Sequence, residues 1–207
     1  MGHKRAKNMK RFGLVAFALA AASMPAAAQY VSDAEPFINA VRERDGNKAT
    51  ELLESRPTVV NSKNTRGETA LNVVIARDDE LWTKYLLSKG ADPNLPDSSG
   101  NTPLITAARV GYTEAVDLLL QLGARVDATN KMGETALILA VQQRQLNAVK
   151  LLLSRGANPE KKDSAAGYSA RDYAKRDARN REVLAAIEAA GKPKPAKSDD
   201  LDSFKLK

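Results

Sequence analysis

The sequence predicts an all-α repeat, a solenoid of about five helix-turn-helix units with projecting hairpin loops. Three observations predict it. Gly67-Glu68-Thr69-Ala70-Leu71, Gly100-Asn101-Thr102-Pro103-Leu104 and Gly133-Glu134-Thr135-Ala136-Leu137 stand 33 residues apart, and a weaker copy, Gly167-Tyr168-Ser169-Ala170-Arg171, follows after 34. A second block repeats in phase with the first: Leu86-Leu87-Ser88-Lys89-Gly90-Ala91, Leu119-Leu120-Gln121-Leu122-Gly123-Ala124 and Leu152-Leu153-Ser154-Arg155-Gly156-Ala157. Between the blocks, apolar residues recur at the 3, 4 and 7 spacing of one helical face.

The first element is a leader, residues 1–28. Lys4, Arg5, Lys7, Lys10 and Arg11 precede a 13-residue apolar run from Phe12 to Met24, and Pro25 leads into Ala26-Ala27-Ala28. Basic head, apolar middle and small residues at −1 and −3 are the pattern of a bacterial secretory signal. A cut between Ala28 and Gln29 is therefore expected, with the periplasm as destination. Against the roughly 20 residues a spanning helix needs, the run is short. An uncleaved anchor facing the periplasm is the alternative, and Met9 competes with Met1 as the start.

The unit from Gly100 shows how each repeat should fold. Thr102 suits an N-cap and Pro103 the first helical position, where a missing N–H costs nothing. Leu104, Ala107, Ala108 and Gly111 then line one face. After a turn near Gly111, Val116, Leu119 and Leu120 form a second stripe, and Gly123 ends it as a left-handed residue can. The segment from Asp127 to Gly133 is polar and reads as the projecting loop. Neither short helix can bury its face alone, so stacked neighbours must supply the missing wall.

With these blocks in view, the sequence resembles the ankyrin repeat, with its 33-residue period and Thr-Pro-Leu block. The resemblance covers about residues 34–191, within a domain expected at 29–191. Its units fall at about 34–66, 67–99, 100–132, 133–166 and 167–191. In the divergent first unit Phe37, Val41, Ala49, Leu52 and Leu53 hold core positions, while Pro57-Thr58-Val59-Val60-Asn61 replaces the usual Gly-Ala turn. In the last, Arg171 occupies a leucine slot while Ala174, Val183 and Ile187 keep the stripe. Asn72, Ile105 and Ile138 stand where the family often has a histidine, which puts local hydrogen bonding in question but not the fold. Residues 192–207, with Lys192-Pro193-Lys194-Pro195-Ala196-Lys197, are expected to be a disordered tail.

Composition narrows function chiefly by exclusion. The formal net charge is +7, but removing the five cations of residues 1–28 leaves +2, which is no polyanion-binding signal. There is no cysteine, and the only histidine is His3 in the leader. Ser–His–Asp and Cys–His nucleophiles and most zinc sites are thereby excluded from a chain starting at Gln29. No phosphate-cradling glycine loop is present. Asp78-Asp79-Glu80 reads as a solvated turn at a helix N-terminus, and Trp82 with Tyr85 reads first as packing and second as a contact patch. No enzyme activity, cofactor or metal is expected.

What the resemblance implies is a partner protein held on the concave face, made by hairpin tips and first helices. Carried over, the tips are Thr65, Arg66 and Glu68; Ser98, Ser99 and Asn101; and Lys131, Met132 and Glu134. The ends of the first helices add Arg77, Arg109, Val110, Tyr112, Gln142 and Gln143. Neither nucleic acid nor, once the leader is cut, membrane insertion is expected.

Overall fold

The computed structural model describes residues 26–190. Residues 1–25 of the expected leader and the expected tail 192–207 lie outside the described residues. Among the described residues ten helices follow in order: α1 (Ala26–Glu43), α2 (Gly46–Ser55), α3 (Ala70–Ile75), α4 (Glu80–Ser88), α5 (Pro103–Val110), α6 (Thr113–Gln121), α7 (Ala136–Gln142), α8 (Leu146–Ser154), α9 (Ala170–Arg176) and α10 (Arg181–Ala190). Odd-numbered helices pack side by side as an inner row, with each even-numbered partner behind. The two residues of the expected cut, Ala28 and Gln29, lie inside α1.

Local chemistry starts the inner helices where the repeat places them. Thr69, Thr102 and Thr135 accept from the backbone N–H three residues on, at 3.1, 3.3 and 3.2 Å. Ser169 does the same for α9 and exchanges the favour with Asp172, closing a capping box. Asp45 and Asp79 cap α2 and α4, whereas Tyr112 and Gln145 leave α6 and α8 without a side-chain cap. In the first unit a 3-10 turn, Pro57–Asn61, buries Val59 and Val60 where other units use Gly-Ala. Arg171 keeps its leucine slot by lying half-buried, its head 2.5 Å from Glu160.

The two central inner helices are buried on every side. Pro103 to Ala108 of α5 and Ala136 to Val141 of α7 are all shielded, Thr106 included. Each faces an inner helix on both flanks and its own outer helix behind. Ile105 and Ile138, in the histidine slot, simply join this core at 1% and 0% exposure. Asn72, in the same slot, donates to the Asn101 carbonyl at 3.0 Å, and its own Oδ1 is buried without a partner.

A row of side chains clamps each unit to the next. Asn61 accepts from the backbone N–H of Asp92 at 2.7 Å and donates to the Gly90 carbonyl at 2.9 Å. Asn94 repeats both bonds one unit later, to Arg125 and Gly123, at 2.9 and 3.1 Å. Asp127 is next in register and accepts from Asn158 at 3.0 Å, but a carboxylate has no N–H to give the following glycine carbonyl. Asp127→Asn should supply it. We expect a gain of about 1 kcal/mol, read as a rise of about 2–4 °C in thermal midpoint. No rise would mean that Gly156 already has a water partner.

Candidate functional site

Each hairpin is built around one Asx residue. Asn64, Asp97 and Asn130 each accept two backbone N–H groups from the tip that follows, at 2.8–3.1 Å. Asp163 accepts three, from Ala165, Ala166 and Gly167, and takes the Tyr173 hydroxyl at 2.7 Å. Burial pushes the Asp163 carboxyl up, but Tyr173 and those N–H groups outweigh it and leave it below the usual carboxylate range. Neighbouring tips are tied through backbone: Lys131 N–H donates to the Ser99 carbonyl at 3.1 Å, and Ser164 N–H to Met132 at 2.8 Å. The result is a stiff ridge of turns along one edge of the stack.

Structure sorts the expected tip residues into two kinds. Thr65, Arg66, Ser98, Ser99, Lys131 and Met132 are exposed, Met132 by 53%. Glu68, Asn101 and Glu134 are half-buried and already engaged. Glu68 accepts from Asn64, Arg42 and Arg66. Burial alone would raise its pKa, yet Asn64, Arg42 and Arg66 together lower it. Asn101 and Glu134 both accept from the Asn130 amide, at 3.1 and 2.8 Å. These three hold the ridge together rather than face outward.

The inner-helix ends need one correction. Arg109, Val110 and Gln143 are exposed and Gln142 half-exposed. Tyr112 is not on the surface: it is 6% exposed, and as N-cap of α6 its ring turns back into the core. Arg77 keeps an exposed flank, but its guanidinium donates to the Arg42 carbonyl at 2.6 Å and stands 3.7 Å from Asp79. The Asp79 carboxylate is buried, caps α4 and pairs with Arg44 at 2.8 Å. Trp82 and Tyr85 pack edge-to-face at 5.4 Å; Trp82 is buried and the Tyr85 hydroxyl meets Thr50 of the first unit. They are inter-unit packing.

The helix-end row runs on into the last unit and back into the first. Arg176 and Asp177 continue the register of Gln142 and Gln143, and Lys175 and Arg176 are exposed at the end of α9. Arg42 and Glu43 hold the same place on α1. The signal was available in the repeat step, but it is 34 residues for the last unit where the three before it are 33 apart.

Burial raises the Tyr112 pKa to about 12, helped by the charges of Glu80 and Asp78. Burial and the Asp163 hydrogen bond raise Tyr173 likewise to about 12. Because the folded values exceed the unfolded value near 10, this stabilisation is complete below about pH 10 and is lost as pH rises through about 12. Ultraviolet titration at about pH 11 should therefore find Tyr112 and Tyr173 still protonated. Tyr112→Phe should remove one of these two late-titrating phenols. Full ionisation at that pH with the fold intact would contradict the burial of both rings.

Among the described residues no group of three His, Cys, Asp or Glu side chains is placed to hold a metal, and no helix is long and apolar enough to cross a membrane. The chain matches the family described as ankyrin repeats (3 copies) over residues 37–130 and 83–163. No curated protein matches it.

Proposed function

Starting from a chain that belongs to the ankyrin-repeat family, a family of protein-interaction modules, we propose that this member is exported to the bacterial periplasm. There it binds a partner protein through the concave ridge-and-helix surface. One observation carries the binding reading. The side chains of Ser98, Ser99, Lys131 and Met132 on the tips, with those of Arg109, Val110 and Gln143 on the helix ends, are exposed in parallel rows, and the bonds that tie the stack here run through backbone and not through them. Arg and Met are among the residue types enriched at interfaces. Thr65, Arg66 and Gln142 extend these rows, while Arg77, Glu68, Asn101 and Glu134 serve as their supports. Export rests on the leader pattern, and no chemistry of a catalytic kind is proposed.

The test is capture from periplasmic extract with the chain beginning at Gln29 as bait. A second bait carries Arg109→Ala, Val110→Ala, Lys131→Ala and Met132→Ala together, four exposed changes that spare the core. A protein retained by the first bait and lost from the second is the expected result. Equal recovery, or none, would remove the concave-face reading. Intact mass of the cell-derived protein should begin at Gln29; a chain retaining residues 1–28 would turn the proposal into a tethered one.

A further inference from the structure

Charge on the concave face is divided along the stack. At the tips and inner-helix ends of the first two units the cations are committed: Arg42 and Arg66 to Glu68, Arg44 to Asp79, and Arg77 to the Arg42 carbonyl. The acids left over there, Glu43 and Asp78, are exposed. From the third unit on the pattern reverses. Glu134 is taken by Asn130, Asp163 by Tyr173 and three backbone N–H groups, Asp172 by Ser169, and Asp177 by Arg144 at 2.7 Å. The cations at the tips and helix ends, Arg109, Lys131 and Lys175, are exposed and make no hydrogen bond or ion pair through their side chains. Lys175 contributes only through space, as one of the charges that lower the Asp172 pKa. Val110 and Met132, two of the exposed large apolar side chains, are each next in sequence to one of these cations. Lys131 also borders an open groove of about 750 Å³, which Arg125 lines as well.

Resting on the protein-binding reading above, we propose that the partner presents an acidic segment carrying apolar side chains to units three to five. Three cations without a side-chain partner, on tips and inner-helix ends whose own carboxylates are engaged, favour carboxylates from outside, and they disfavour a basic partner by like-charge repulsion. The apolar neighbours give such a segment two places to anchor. The free acids of units one and two set its direction, because they repel the acidic stretch from the amino-terminal half. Exposed ion pairs are weak singly, so three acting together are what the proposal requires.

Selection of a displayed library of random peptides of roughly twelve residues on the full chain tests this directly. The leader's five cations are common to every variant and drop out of the comparison. The expected consensus carries more Asp and Glu than Lys and Arg, together with apolar residues. A synthetic peptide of that consensus should bind the Arg109→Gln, Lys131→Gln, Lys175→Gln variant about tenfold or more weakly. Its affinity for the unsubstituted chain should fall as NaCl rises from about 50 to about 300 mM. All three changes are at exposed positions, and an unchanged circular dichroism melt will show that folding is intact. A neutral or basic consensus, lost on Val110→Ser with Met132→Ser but indifferent to the triple change, overturns the acidic class and leaves protein binding standing. An acidic consensus indifferent to the triple change overturns the site. A single-stranded oligonucleotide bound as tightly as the peptide, and lost in the triple variant, assigns the cations to phosphate and overturns the proposal. Absence of any enriched sequence also overturns it, while capture from extract still decides the broader reading.

Discussion

Ile138→Ala should cost about 2–5 kcal/mol, the range for emptying a fully buried aliphatic site. Ile138 is 0% exposed in the middle of α7, which packs against α5, α8 and α9. Helix start is unaffected, because Thr135 accepts from the backbone N–H at that position and the substitution keeps it. In a stack each unit leans only on its neighbours, so a central cavity weakens two interfaces at once. The matched change Ile187→Ala, also at 0% exposure but in the last outer helix, has a neighbour on one side only. Urea unfolding should show the whole array shifting to lower midpoint for Ile138→Ala. For Ile187→Ala, hydrogen exchange should rise in α9 and α10 and stay unchanged in α5. Equal and global effects from both would mean that the array folds as one indivisible unit.

Gly133→Ala should be the most damaging of the glycine changes, at about 2–4 kcal/mol once left-handed strain and a backbone clash are added. Gly133 has φ near +76°, and a Cβ there would stand 2.5 Å from the Ser164 backbone nitrogen and 2.4 Å from its hydroxyl. The hairpins would have to part, breaking the Ser164-to-Met132 bond that ties the ridge. Gly156 is the control. Its φ is +87° but nothing lies within 4 Å of a Cβ, so alanine there should cost only about 1 kcal/mol. Chemical denaturation of the two variants separates contact from conformation. If the costs were equal, hairpin contact would carry no part of the stability.

The carboxylate of Asp163 and the clamp at Asp127 show how terminal and central units differ in what the sequence reveals. A regular Asx at each hairpin start is visible in the 33-residue register, because an Asx turn is made within five residues. That Asp163 also receives Tyr173, ten residues on, depends on how α9 is seated against its own hairpin. Likewise the row of Asn61, Asn94 and Asp127 is legible as a register, while its purpose is not. Each member reaches across to a turn 29 to 31 residues later.

By itself, the sequence determined what short-range chemistry controls: helix starts at threonine and Thr-Pro, left-handed turns at glycine, hairpins at Asx, and the period that obliges units to stack. That was sufficient for an all-α solenoid with its inner and outer helices in the right order. Tertiary structure alone decided which residues of the tip and helix-end rows are left exposed. Tyr112 has the position of a surface residue and lies in the core. Arg77 has the type of a binding residue and is folded back on a carbonyl of the preceding unit. Glu68, Asn101 and Glu134 sit at the tips and hold them together. Exposure and pairing are set by groups one repeat away, about 33 residues distant along the chain but in contact across it. A local pattern places a side chain on a row; the unit beside it determines whether that side chain is free.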